Sequence, residues 1–521
     1  MSDAPLRERA EAAFDRALVS AGSTAETAVL RAALEGARAQ LARPMTVAVV
    51  GRIKAGKSTM TNALLGAQLA ATGPIECTYN VNWFHYGVEP SLTVHYSDGR
   101  TERRPFGELD DLTQRARDGV AAPAGIDYLD IRTPSPILER FSVVDTPGLD
   151  SAYVADSRNT SAFLGLGTGD AASITERTQR EARNADAVLY LFSRGLASSG
   201  AAVVEEFQGP AFGRATPLNA IGVLTKVDGN WRDCDDPVAR GQASVATWMR
   251  EPAARRLFFA IRPVCARVAL GAATLDAAEF ETIRVLSARS EDTVRAELAN
   301  ARRFATGDDA ELSAEARAAV LERLGQYGVL LAARAVRAGV NDREALAHEL
   351  ARASGMTELA NLIVHHFGNR SLLIKLERLV GEVRALCLRV RQAGGGAAHC
   401  ARLVDDALDA FWTREHGFAE LAVVRRYYEG ALVLDDAEVD ELLRVTGESG
   451  TSLAERLGAD DGAASPTLVT VASRRIAHWS VRAEFGANKA TRDAAKTIRR
   501  SYERLAALAR TTADDRVAET V

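Results

Sequence analysis

The sequence predicts an α/β domain with a mixed, mostly parallel sheet, followed by a long all-helical segment. Three observations carry this. Between residues 45 and about 270, short β-branched runs alternate with turns and helical spacings. Beyond about residue 273, leucine, alanine, arginine and glutamate recur at helical spacing with few strand signals. Finally, 521 residues exceed what one hydrophobic core usually organises, so two or three structural units are expected.

Residues 4–42 carry apolar side chains at helical spacing (Leu6, Ala10, Phe14, Leu18, then Val29, Leu34, Leu41). The pattern breaks near Ala21 and Ser23 and stops at Pro44, which gives two helices. Strands are expected at 46–50, 81–86, 92–96, 141–144, 187–192 and 221–224, with a last one near Val264. Residues 358–392 read as one long helix or a kinked pair around Gly368, and Gly394-Gly395-Gly396 marks a turn. Further helices are expected at about 398–430, 436–446 and 467–509. The expected divisions are N-terminal helices over 1–44, an α/β domain over 45–272, a helical extension over 273–345 and a helical bundle over 346–521.

Bulk properties exclude several classes. A net charge of −5 lacks the footprint of a dedicated nucleic-acid binder, so no nucleic-acid partner is expected. The N-terminal stretch has no apolar signal core and no run of 18 apolar residues occurs, so a cytoplasmic chain without a transmembrane segment is expected. Cys77, Cys234, Cys265, Cys387 and Cys400 are scattered without metal-ligand spacing and read as reduced thiols.

The chemistry begins at Gly51-Arg52-Ile53-Lys54-Ala55-Gly56-Lys57-Ser58, which fits G-x-x-x-x-G-K-[ST] directly after the strand-like Val47-Ala48-Val49-Val50 and before a helical stretch opening at Thr59. Such a loop wraps backbone amides around phosphates, with Lys57 neutralising the β and γ charges and the Ser58 hydroxyl on Mg²⁺. The apolar run 141–144 ends in Asp145-Thr146-Pro147-Gly148, placing a carboxylate near the metal and the Gly148 amide near the γ-phosphate. Thr225-Lys226-Val227-Asp228 closes another apolar run. The Asp228 carboxylate can accept both donors of the guanine edge, which adenine lacks, so GTP is favoured over ATP by roughly 10⁴-fold. Val264-Cys265-Ala266 stands where a last strand brings a backbone amide to the guanine oxygen; the competing reading of Cys265 is a buried thiol.

Between these motifs, Thr72 to Thr78 form a loop able to fold over the γ-phosphate, with Thr78 the candidate metal and water-ordering threonine and Thr72 the alternative. Leu149 follows Gly148, so the glutamine that orients water in Ras-type sites is absent. Lys54 can supply transition-state charge from inside the loop; otherwise it is a solvent-facing lysine. The candidate catalytic set is therefore Lys54, Lys57, Thr78 and Gly148, and the candidate metal set is Ser58, Thr78 and Asp145. Adjacent His365 and His366 cannot share one helix face and read as structural.

With these motifs the chain resembles the bacterial dynamin-like GTPases, of the actinobacterial isoniazid-inducible type. The specific tokens are residues 51–59, residues 73–78, DTPG, and TKVD in place of the commoner NKxD. Weaker likeness continues through 321–336, 354–375, Trp479 and Ser501-Tyr502-Glu503-Arg504. The resemblance implies an α/β P-loop GTPase domain on an elongated α-helical neck and trunk, with residues 1–44 joining the neck. It implies GTP or GDP with Mg²⁺, dimerisation head to head across the nucleotide face with itself or a paralogous GTPase, and nucleotide-driven membrane remodelling. Two departures stand out: Lys54 replaces the small hydroxyl residue with which eukaryotic dynamins help hold a monovalent cation, and no lipid-inserting paddle is visible. Lipid contact is then peripheral, with Phe411-Trp412 or Tyr427-Tyr428 as candidate tip residues and core packing as the competing reading. Two other functions compete: a GTP-regulated scaffold with negligible turnover, and a ribosome-assembly GTPase, which the slightly acidic helical half disfavours.

Overall fold

The computed structural model describes residues 4–51, 54–70, 81–109, 112, 126–146, 185–193, 218–307, 309–460 and 462–518. They form two compact units. One comprises Thr46–Ala215 and Ala220–Leu362, the other Met1–Met45, Thr216–Asn219 and Ile363–Val521.

In the first unit the described strands are β1 (Met45–Gly51), β2 (Val81–Tyr86), β3 (Ser91–Tyr96), β4 (Thr101–Arg104) and β5 (Ile126–Thr133). They continue with β6 (Phe141–Asp145), β7 (Ala187–Phe192), β8 (Ala220–Thr225) and β9 (Ile261–Val264). The nine join in one sheet in the order β4-β3-β5-β2-β6-β1-β7-β8-β9. Pairings β1/β7, β7/β8, β8/β9 and β2/β5 are parallel, whereas β2/β6, β3/β5 and β3/β4 are antiparallel. Strands β7 and β8 are buried along their whole length, which is why they read as unbroken apolar runs rather than alternating ones. Gly51 is required where β1 runs beside β7, because a Cβ there would lie 2.5 Å from the Leu191 carbonyl oxygen.

Two strands escape the sequence reading. β4 is Thr-Glu-Arg-Arg, with no apolar residue to mark it, and in β5 the apolar positions are interrupted by Asp127, Asp130 and Arg132.

The helical extension packs on the sheet as part of the same unit. The helix Ala266–Thr274 lies against the helices Lys57–Leu65, Ala314–Arg337 and Arg343–Ala353, and Met356–Leu362 packs against β9. The buried Leu346 and Leu350 belong to this unit's main apolar cluster. The seam between the units therefore follows Leu362, whereas the sequence reading divides the chain at 346.

The second unit is helical and draws on both ends of the chain. Ala4–Ala21 packs against Ala397–Arg414, and Ala28–Leu41 against Ser371–Ala393. Lys375 Nζ donates to the carbonyls of Gln40, Arg43 and Pro44, satisfying the C-terminal end of the preceding helix. The stretch read as one helix over 467–509 is a hairpin of Ser465–Phe485 and Lys489–Ala518. Gly486 adopts an extended conformation and Asn488 Oδ1 accepts from the Thr491 amide, starting the second helix. The stretch 398–430 likewise divides at Glu415, into Ala397–Arg414 and His416–Tyr428. Around Gly368 the chain passes through a π-helical turn, Ile363–Phe367, and a 3₁₀ turn before Ser371–Ala393 begins.

Candidate functional site

β1 delivers the chain to Gly51, and the loop turns into the helix Lys57–Leu65 through Gly56, whose φ of +92° suits glycine. Arg52 and Ile53 lie outside the described residues. The helix N-terminus supplies amides without intrahelical acceptors and a positive dipole end, the usual setting for a phosphate group. Lys57 is buried, Ser58 and Thr59 are half-buried, Ala55 is buried and Lys54 is exposed. Lys54 has a φ of +62°.

β6 carries Asp145 to the same place. Its side chain is fully buried, and Ser58 Oγ donates to Asp145 Oδ2 at 3.2 Å. Thr146 Oγ1 donates to the Val49 carbonyl at 2.9 Å, tying this turn to β1. A hydroxyl and a carboxylate at a helix N-terminus form an all-oxygen donor set beside amides, which fits Mg²⁺ with a nucleotide phosphate. Thr78, Thr72, Gly148 and Leu149 lie outside the described residues.

β8 brings the third motif. Thr225 Oγ1 lies 2.7 Å from the Ala55 carbonyl oxygen and 3.1 Å from that of Phe192, so this hydroxyl ties the phosphate loop to the strand that leads to Asp228. Lys226 then takes a φ of +58° and Asp228 sits half-buried in the following 3₁₀ turn. Lys54 and Lys226 are the two non-glycine residues with positive φ among the described residues, and they flank the Thr225–Ala55 bond. Strain of this kind gathers at functional sites. Burial raises the Asp228 carboxyl above the ordinary value, against the opposing charges of Arg267 and Lys226.

At the end of β9, Cys265 is fully buried next to Asp228, its thiol pushed well up by burial and then by the Asp228 charge. The Cys265 amide donates to the Ser354 carbonyl at 2.9 Å. Of the stretch Val264-Cys265-Ala266, expected to bring a backbone amide to the base, the Cys265 amide is thus taken up by the helical extension. Ala266 opens the helix Ala266–Thr274, so its amide is among those without an intrahelical acceptor. The sequence reading passed over Arg267. Its guanidinium donates to the carbonyls of Leu321 and Glu322, just before the kink at Gly325, while its charge acts on Asp228. Its place directly after Cys265-Ala266 was the available signal.

The aromatic tip candidates belong to the helical unit, with Trp412 and Tyr427 half-buried. Phe411 and Tyr428 are buried, and Trp412 stacks on Phe418 with ring centroids 3.9 Å apart. His366 is buried beside Arg370 and Glu448, and His365 is exposed. No described helix is long and apolar enough to cross a membrane.

Comparison with known proteins agrees with this geometry. The model of the dynamin family matches residues 47–226. The isoniazid-induced protein IniC of Mycobacterium tuberculosis is 30% identical over 451 residues, covering 86% of this chain and 87% of that protein. The chain belongs to the dynamin family. Within that family, a bacterial dynamin-like protein of Nostoc punctiforme is 30% identical over 115 residues, 20% of this chain and 16% of its own length. A solved bacterial dynamin pair, described as sensing and tethering membranes, covers 98% of this chain and 92% of its own at 14% identity and a TM-score of 0.32.

Proposed function

We propose that this dynamin-family chain binds GTP and hydrolyses it by in-line attack of water on the γ-phosphorus, breaking the bond to the β-phosphate and releasing GDP and inorganic phosphate. The observation that supports this most is the Ser58–Asp145 contact at the head of the helix Lys57–Leu65, together with the Thr225 bond from the guanine-reading loop to the phosphate loop. Ser58, Asp145 and Thr78 would hold Mg²⁺, which would supply positive charge to the phosphate oxygens. Lys57 draws on the β- and γ-phosphates, Thr78 and the Gly148 amide order the attacking water, and Lys54 adds charge at the bridging oxygen. Asp228 accepts the two guanine donors and the Ala266 amide faces the guanine oxygen. Two heads meet across the nucleotide face and complete the site that Leu149 leaves without a water-orienting side chain, and turnover drives assembly at a membrane surface that the chain touches peripherally.

The base assignment is tested by Asp228→Asn. An amide can donate to the second oxo group of xanthine, so this variant should lose GTP affinity by about 10²-fold or more and gain xanthosine triphosphate. An unchanged preference for GTP would remove Asp228 from base recognition.

A further inference from the structure

The face of β2 that looks toward the phosphate loop carries a polar side chain for which the sequence reading has no use. Asn82 is fully buried, and neither atom of its amide has a hydrogen-bond partner among the described residues. In the antiparallel β2/β6 ladder it stands directly opposite Asp145. Residues paired in this way project to the same face of a sheet, with Cβ atoms about 4.5–5.5 Å apart. Its neighbours Val81 and Trp83 point to the other face, into the main apolar cluster with Val144. Thr61 adds a second observation. It is fully buried, its hydroxyl is also without a partner among the described residues, and it lies one helical turn beyond Ser58, the residue that reaches Asp145.

Burying an amide without partners is unfavourable, and an aliphatic side chain would fill the same space at lower cost. An amide there makes sense if it has water to bond. Mg²⁺ retains several waters when bound through one or two protein oxygens, and groups just behind such ligands fix their orientation. We propose that Asn82 is a positioning residue of the metal site: through ordered water shared with Thr61, its amide orients the Asp145 carboxylate and the hydration shell of the cation. One amide can donate toward a carboxylate from Nδ2 while its Oδ1 accepts from a metal-bound water, which an aliphatic group cannot do. The inference rests on the reading of Ser58 and Asp145 as metal ligands.

The test compares wild type, Asn82→Leu and Asn82→Ala in two readouts: the Mg²⁺ dependence of GDP affinity, from fluorescent-GDP titrations in Mg²⁺ and in EDTA, and thermal unfolding of the nucleotide-free full chain. Because the amide has no protein partner among the described residues, Asn82→Leu should leave the Tm of the nucleotide-free chain unchanged or raise it by up to about 4 °C. The same variant should lose about 10-fold or more of the affinity that Mg²⁺ adds in wild type. A protein at least as stable with weaker metal coupling is a result that core filling alone cannot give. Wild-type Mg²⁺ coupling in both variants overturns the proposal, as does a loss of coupling confined to variants whose Tm has fallen. If wild type itself gains nothing from Mg²⁺, the metal-site reading fails, and the inference falls with it for a different reason.

Discussion

The two units place their buried polar groups differently. Around the phosphate loop the chain carries two lysines with left-handed backbone, a half-buried carboxyl raised above its ordinary value and buried polar side chains with no partner among the described residues. In the helical unit, the charges of Arg370, Lys375, Glu438 and Glu441 are paired. Arg370 reaches Glu448, the Thr446 hydroxyl and the Thr446 carbonyl; Lys375 meets three carbonyls; Glu441 takes Arg475 and the Trp479 indole; Glu438 takes Arg482. The first set surrounds the phosphate loop, where strained and unpartnered groups gather as they do at functional sites, and the second set joins helix to helix.

The largest effect that sharpens this contrast should come from Lys57→Ala. Loss of the main cation facing the phosphates should weaken GTP binding by about 10³-fold while leaving the circular-dichroism melt of the protein near wild type, since the loop glycines remain. Equal affinity in a folded variant would break the assignment of the groups around the phosphate loop.

The converse belongs to the helical unit. Burial acts to raise the Glu448 carboxyl, but His366 and Arg370 outweigh it and hold it down at about 2. A depressed carboxyl stabilises the fold above the unfolded value near 4.5 and loses that contribution as pH falls toward 2, so wild type should lose up to about 3 kcal/mol across that window. Glu448→Gln should flatten this pH dependence and lower Tm at pH 7 without changing GDP affinity. A change in nucleotide affinity would show that the two kinds of buried polar group are not separate in role.

A smaller effect is expected at Thr225, where one hydroxyl ties the two nucleotide motifs together. Thr225→Val keeps the shape and removes the donor, so GDP affinity should fall by about 10-fold, with Tm lowered by only a few degrees. Unchanged affinity in isothermal titration would mean that the clamp is ornamental and that the Lys54 and Lys226 conformations are held by other contacts.

These contrasts also show what the sequence made legible. The phosphate loop, Asp145 and Asp228 each stand at or just after the end of a largely apolar strand, and β1, β6 and β8 run where the runs of Val, Ile and Leu indicated. β4 and β5 were missed because their charged residues break the pattern, and the helical hairpin at Gly486 was missed because helical spacing continues on both sides of one short break. Asn82 could not be recognised from sequence, because it gains its meaning from cross-strand register with Asp145, and Arg267 was marked only by its place after Cys265-Ala266, its partners being carbonyls over fifty residues away. The commitment of the Cys265 amide to Ser354 is a tertiary fact of the same kind.

The central claim is that the groups around the phosphate loop turn over GTP and that two heads complete the site. Multiple-turnover phosphate release from GTP and ATP, measured with Mg²⁺ across a protein concentration series for wild type and Lys54→Ala, tests it most directly. The account predicts release from GTP and not ATP, specific activity rising with concentration, and a kcat about 10²-fold lower in Lys54→Ala with little change in GTP affinity. No release from GTP, or equal release from ATP, would contradict it; flat specific activity would reject completion by a second head, and an unimpaired Lys54→Ala would return that lysine to the solvent.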